Sequence, residues 1–206
     1  GRTPVAGQVC ASPKRFLVHE SVAEEFTAKL VDLLEKHRLS NPDEASNAIG
    51  PLISERAAES ALAQIRHTVE QGARLVFGGV ADGARFTPTV LTEVTSTMDI
   101  ARDLEIFAPV FPVLEFASED EAVETANASS YGLSGSIFTR DLKRAINLAG
   151  RLETGQVVVN GHGWYLNPDQ PFGGFKRSGL GREGVKATLE AFTQEKTITL
   201  KNFVEA

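Results

Sequence analysis

The stretch LSGSIFTRDLKRAINLAGRLETGQVVVN, residues 133–160, decides how the chain is built. Leu133–Phe138 is a short apolar run bounded by turn residues and reads as a strand. Asp141 to Arg151 reads as a helix, and Gln156–Asn160, with three valines in a row, as a second strand. A strand, a helix and a further strand at these lengths imply a right-handed crossover and parallel pairing.

The same alternation runs outward. Lys14–Glu20 (KRFLVHE) has the β-branched and aromatic content of a strand, and Ser21 with Glu24 forms a capping box. Val22, Phe26, Leu30 and Leu33/Leu34 then mark an amphipathic helix, with a stop expected before Asn41-Pro42-Asp43. A second helix is expected from Ser54 to about Gln71, stopped by Gly72 and followed by a strand at Ala73–Phe77. Thr87–Val94 reads as extended. Ala108–Phe116 reads as a strand whose prolines assign it to an edge or to a strand start. Ser118 and Glu121 form another capping box, opening a helix to about Ala128, and Tyr131-Gly132 reads as a turn.

The expected class is therefore α/β, a largely parallel sheet flanked by helices. Residues 1–192 are expected to form one main domain. Residues 193–206 form a tail in which Glu195–Phe203 alternates with period two, and an exposed strand of that kind invites pairing with another chain. It is expected to protrude as an oligomerisation strand.

Composition excludes the unusual classes. The 206 residues are 42% apolar and 23% charged, the profile of an ordinary globular protein. A net charge of −6 argues against nucleic acid or an anionic membrane surface as partner. No apolar run approaches the ~20 residues that span a bilayer. The single cysteine, Cys10, has no partner for an internal disulfide, which suits a reducing compartment and the cytosol. His19, His37, His67 and His162 are too scattered for the close ligand spacing of a metal site, so no metal is expected.

Gly179-Leu-Gly181-Arg-Glu-Gly184 matches G-x-G-x-x-G, but no buried strand precedes it and no acidic residue follows at the required distance. It reads as a loop that opens a helix running to Phe192. Four other pieces form an ordered set: Gly7-Gln8-Val9-Cys10, Glu105-Ile-Phe107-Ala-Pro109, Val159-Asn160, and Pro171-Phe-Gly-Gly-Phe-Lys176-Arg-Ser-Gly-Leu-Gly-Arg-Glu183. Together they closely resemble the aldehyde dehydrogenase superfamily, with its G-Q-x-C, E-x-F-G-P and P-F-G-G-x-K-x-S-G-x-G-R-E motifs. The chain departs from the usual pattern at Ala108, in place of glycine, at Leu104, often acidic, and at Val5, often asparagine.

The resemblance implies that Cys10 is the nucleophile and that its own N–H helps to form the oxyanion hole. It implies that Glu105 holds the nicotinamide ribose hydroxyls of NAD or NADP with Phe107 beside the nicotinamide. Asn160 and Phe172 are expected to shape the substrate mouth or brace the cysteine loop. The reaction implied is oxidation of an aldehyde to a carboxylic acid through a thiohemiacetal and a thioester on cysteine, with coenzyme A an alternative acyl acceptor to water. A homodimer or homotetramer is expected of the whole enzyme. In the family the cofactor-binding half precedes the cysteine, so this chain is expected to be the catalytic portion of a longer one and to fail to reduce NAD alone. Two other readings stay open: a non-catalytic scaffold or oligomerisation module, and a hydrolase pairing Cys10 with a histidine, His162 foremost.

Overall fold

The computed structural model describes residues 1–36 and 49–202. In chain order its elements are β1 (Phe16–His19), α1 (Glu20–Glu35), α2 (Glu55–Glu70), β2 (Arg74–Phe77), β3 (Ala81–Asp82), β4 (Arg85–Phe86) and β5 (Thr89–Thr92). They continue with β6 (Val110–Phe116), α3 (Glu119–Asn127), β7 (Tyr131–Gly132), β8 (Ser134–Ile137), α4 (Leu142–Arg151), β9 (Gln156–Val159), β10 (Phe175–Lys176) and α5 (Val185–Ala191).

The main sheet has the order β1-β6-β5-β2. β6 runs parallel to both β1 and β5, and only β2 is antiparallel. Side-chain alternation divides its residues between two cores. Phe16, Val18, Val90, Phe111 and Val113 pack with Ala23, Phe26, Leu30 and Leu34 of α1. Leu17, Leu91, Val110 and Leu114 pack with Ala58, Ala61 and Ile65 of α2. Period-two strands thus have a helix on either face, as a strand buried on both sides requires.

β8, α4 and β9 form the strand–helix–strand unit read from residues 133–160, with Ser134–Ile137 parallel to Gln156–Val159. They make a separate two-stranded sheet. Arg144 with Glu119 and Arg151 with Asp120, each at 2.6 Å, tie α4 to α3.

The helix starts follow side-chain chemistry. Ser54, Ser118 and Asp141 each accept a hydrogen bond from the backbone N–H three residues on. The first cap differs from the sequence expectation: His19, not Ser21, caps α1, its Nδ1 accepting from Ser21 N. The imidazole offers the same short-range acceptor that a serine would have supplied.

The edge assignment of Ala108–Phe116 is corrected, because β6 lies inside the sheet. It pairs with β5 through Val110–Pro112 and with β1 through Val113–Phe116. Pro112 stands where one pairing hands over to the other, so the N–H it lacks removes little from either ladder. Tyr131-Gly132 is also corrected from a turn to a short strand, paired antiparallel with Phe175-Lys176.

Residues 193–202 form no strand, and Ile198 and Leu200 stand exposed. Phe203, the end of the expected strand, lies outside the described residues, as does the expected stop at Asn41-Pro42-Asp43. Among the described residues no helix is long and apolar enough to cross a membrane.

Candidate active site

The cysteine turn begins with backbone bent the unusual way. Val5, Ala6 and Gly7 have φ of 49°, 52° and 72°, a left-handed run that a β-branched valine adopts only under external constraint. That constraint is visible. Ala6 is buried in the core, and a Cβ on Gly7 would lie 2.7 Å from the carbonyl oxygen of Ala108, so only glycine fits there. Gln8 locks the next step: its Nε2 donates to Val5 O at 3.0 Å and its Oε1 accepts from Ile53 N at 2.8 Å. Ser12 N then donates to Val9 O at 3.0 Å, closing a β-turn with Cys10 near its corner. The thiol is exposed, and the Cys10 N–H has no acceptor among the described residues.

Two supports of this turn carry no signal in the local sequence. The first is Arg2, which is 3% exposed. Its guanidinium donates to Gly7 O, to Val110 O and, by a short bond, to Ile106 O. One side chain thereby fastens the cysteine turn to the segment that carries Glu105. Burial pushes the Arg2 pKa down to about 10, opposed by the charge of Glu105. The second is Gly163, where a Cβ would meet the side chain of Ser134 and lie 2.6 Å from Ala11 O. The loop after β9 therefore rests directly on the residue following Cys10.

Glu105 sits on the extended segment ahead of β6. Gln64 Nε2 donates to its carbonyl at 3.2 Å, and its carboxylate oxygen Oε1 lies 2.7 Å from Lys14 Nζ. Cys10, Lys14 and Glu105 line one cavity of about 1040 Å³, together with Arg102, Tyr131 and Arg177. Asp103 ties down Ser129, which also lines that cavity. It accepts from Ser129 Oγ, Ser130 N and Ser130 Oγ at 2.7–2.8 Å, and those bonds hold its pKa below the usual aspartate value. Lys176 donates to Ser129 O as well as to Asn127 O and pairs with the carboxylate of Glu153.

The remaining expected residues lie elsewhere. Phe107 is 43% exposed, between the buried Ile106 and Ala108. Asn160 and Phe172 line a second cavity of about 880 Å³ with His162, Trp164 and Tyr165. The Asn160 amide bonds Thr139 twice, accepting from its N–H and donating to its carbonyl, both at 3.0 Å. It braces the turn after β8, and the contact with the cysteine loop comes from Gly163. Phe172 pairs with Glu183 through two backbone hydrogen bonds, closing the loop between them. His162 Nδ1 accepts from Trp164 N, and burial lowers its pKa; it lines this second cavity and not the one that holds Cys10.

An exposed thiol, a free N–H on the same residue and a carboxylate on the same cavity form a set that attacks a carbonyl and binds a diol. The two oxygens of a carboxylate can accept from two neighbouring hydroxyls.

The aldehyde dehydrogenase family model matches residues 1–198. The 3-sulfolactaldehyde dehydrogenase of Priestia aryabhattai is 38% identical over 195 residues, covering 95% of this chain and 41% of that protein. The structure of succinic semialdehyde dehydrogenase from Streptococcus pyogenes in complex with NADP+ superposes with a TM-score of 0.89 at 36% identity, over 96% of this chain and 44% of that one. Mycobacterium tuberculosis aldehyde dehydrogenase complexed with NAD+ gives 0.89 at 35% identity, over 97% and 42%. The chain thus spans about two fifths of the length of the curated relatives it matches.

Proposed function

Because the chain belongs to the aldehyde dehydrogenase family, we propose that it supplies the nucleophile and the ribose clamp of an NAD(P)-dependent oxidation of an aldehyde to a carboxylic acid. The observation that carries this reading is the shared cavity of Cys10 and Glu105. The Cys10 sulfur, as thiolate, attacks the aldehyde carbon, and the Cys10 N–H donates to the oxygen that becomes negative. Glu105 would accept from the ribose hydroxyls of the bound cofactor, and the exposed Phe107 would flank its nicotinamide end. When bound, the nicotinamide supplies the hydride acceptor that no side chain can provide. Loss of hydride leaves an acyl group on Cys10 as a thioester, released to water or to a thiol acceptor such as coenzyme A.

Asn160 and Phe172 shape the mouth through which the aldehyde enters, with Asn160 acting through the Thr139 turn. Residues 1–192 are the catalytic unit. The tail that begins at residue 193 pairs with a second subunit, which is supported by its exposed Ile198 and Leu200.

Substituting Cys10→Ala in the complete natural polypeptide tests the reading. Turnover is expected to fall by several powers of ten while cofactor affinity stays near wild type. A variant that kept more than about a per cent of its turnover would contradict covalent catalysis at Cys10.

A further inference from the structure

The Lys14–Glu105 pair joins the residue four places after the thiol to the carboxylate assigned to the ribose. Both main chains are pinned. Beside Lys14, the Arg15 guanidinium donates to Ala101 O, Thr125 O and Ala126 O at 2.7–2.9 Å. Glu105 is held through its carbonyl by Gln64. The two side chains are not pinned: they are 32% and 41% exposed and meet at 2.7 Å in the open cavity. An ion pair in that setting is weak enough to exchange. While paired with Glu105 the ammonium also lies 5.4 Å from the centroid of the Tyr131 ring, within cation–π reach, so it keeps a partner when the carboxylate is taken.

We propose that Lys14 is a positioning residue that occupies the Glu105 carboxylate in the cofactor-free site, and that the ribose diol binds by displacing its ammonium from the carboxylate, leaving it held by Tyr131. The inference rests on the reading that Glu105 meets the ribose. A carboxylate already neutralised by an ammonium is a poorer acceptor for two hydroxyls, so Lys14 competes with the cofactor and sets how tightly it is held. Arg177, 5.9 Å from the same ring centroid, shares Tyr131 with that ammonium, so the ring's hold on it is moderate. The exchange is therefore reversible in each catalytic cycle.

The test is a double-mutant cycle on the dissociation constant of NADH and NADPH, read by fluorescence titration of the complete natural polypeptide. Lys14→Met is expected to tighten binding about two- to five-fold, the size of a partly exposed ion pair. In a Glu105→Gln background the same substitution is expected to change nothing, and Lys14→Arg is expected to restore wild-type affinity. An unchanged Kd for Lys14→Met alone would overturn the proposal. So would an equal effect in both backgrounds, or weaker binding in both, which would make Lys14 a direct cofactor contact. The Glu105→Gln variant separates the two readings: if it binds as tightly as wild type, the ribose assignment fails and the Lys14 proposal fails with it. If it binds weakly while Lys14→Met has no effect, only the Lys14 proposal fails.

Discussion

Arg2 Nε donates to Val110 O at 3.1 Å, across 108 residues of sequence. With Gly7 O and Ile106 O bound to the same guanidinium, the cysteine turn and the Glu105 segment are two ends of one buried clamp. Replacing Arg2 by leucine leaves three inward carbonyls without their donor. The expected loss is about 2–4 kcal/mol of unfolding free energy, the size of breaking a buried charged network. Urea denaturation measures it. A loss below about 0.5 kcal/mol, the range of a surface substitution, would mean that the clamp is ornamental.

Gly163→Ala is expected to disturb the cysteine turn from the opposite side. The added methyl would lie 2.6 Å from Ala11 O, so backbone on one side of the contact has to move. Overpacking of this kind costs about 1–3 kcal/mol. The specific signature is a changed rate of Cys10 alkylation by iodoacetamide under folding conditions. An unaltered rate alongside lost stability would place the strain in the 161–164 loop and not in the turn.

The ladder of elements was legible because each rests on local chemistry. Ser54, Ser118 and Asp141 lie at or within a residue of the helix starts drawn from sequence, and the valines of β9 and the apolar run of β6 announced strands. What escaped depended on partners far along the chain. Pro112 marks an edge only if one strand lines a neighbour along its whole length, and β6 divides its length between two. A lone arginine in Gly-Arg-Thr-Pro has no periodicity to betray that it is buried. The tail read as a strand because its own pattern alternates, but a strand needs a ladder partner, and none of the described residues supplies one. Of the candidate site, short motifs singled out Cys10 and Glu105, which line one cavity, whereas the bracing of the turn by Gly163 depends on a loop that arrives from residue 161 onward.

Acid stability should report on Asp103. Its pKa is lowered in the folded state chiefly by Ser130, through side chain and backbone, with Ser129 adding to it. A lowered carboxylate pKa contributes stability that is fully present above the ordinary aspartate value of about 3.9 and is lost as pH falls through the lower folded value. Thermal melts between pH 5 and pH 2 should therefore show a steep fall in wild type. Asp103→Asn should start from a lower Tm at neutral pH and fall less steeply across that window. Parallel curves for the two proteins would remove Asp103 from the account.

Deleting residues 195–206 from the complete natural polypeptide should shift its assembly toward monomer or aggregate, measured by light scattering, because the surface that the exposed Ile198 and Leu200 are proposed to cover would be left bare. An unaltered oligomer would dismiss the tail as the pairing segment.

The central claim is that Cys10 carries the acyl group. Mixing the complete natural polypeptide with an aldehyde it oxidises and NAD+ or NADP+, then quenching in acid within a turnover and mapping peptides by mass spectrometry, tests it directly. The expected adduct is the aldehyde less two hydrogens, on the Cys10 peptide and nowhere else, appearing only when the oxidised cofactor is present. Reduced cofactor accumulating with Cys10 unmodified, or the adduct on another residue, would contradict the assignment.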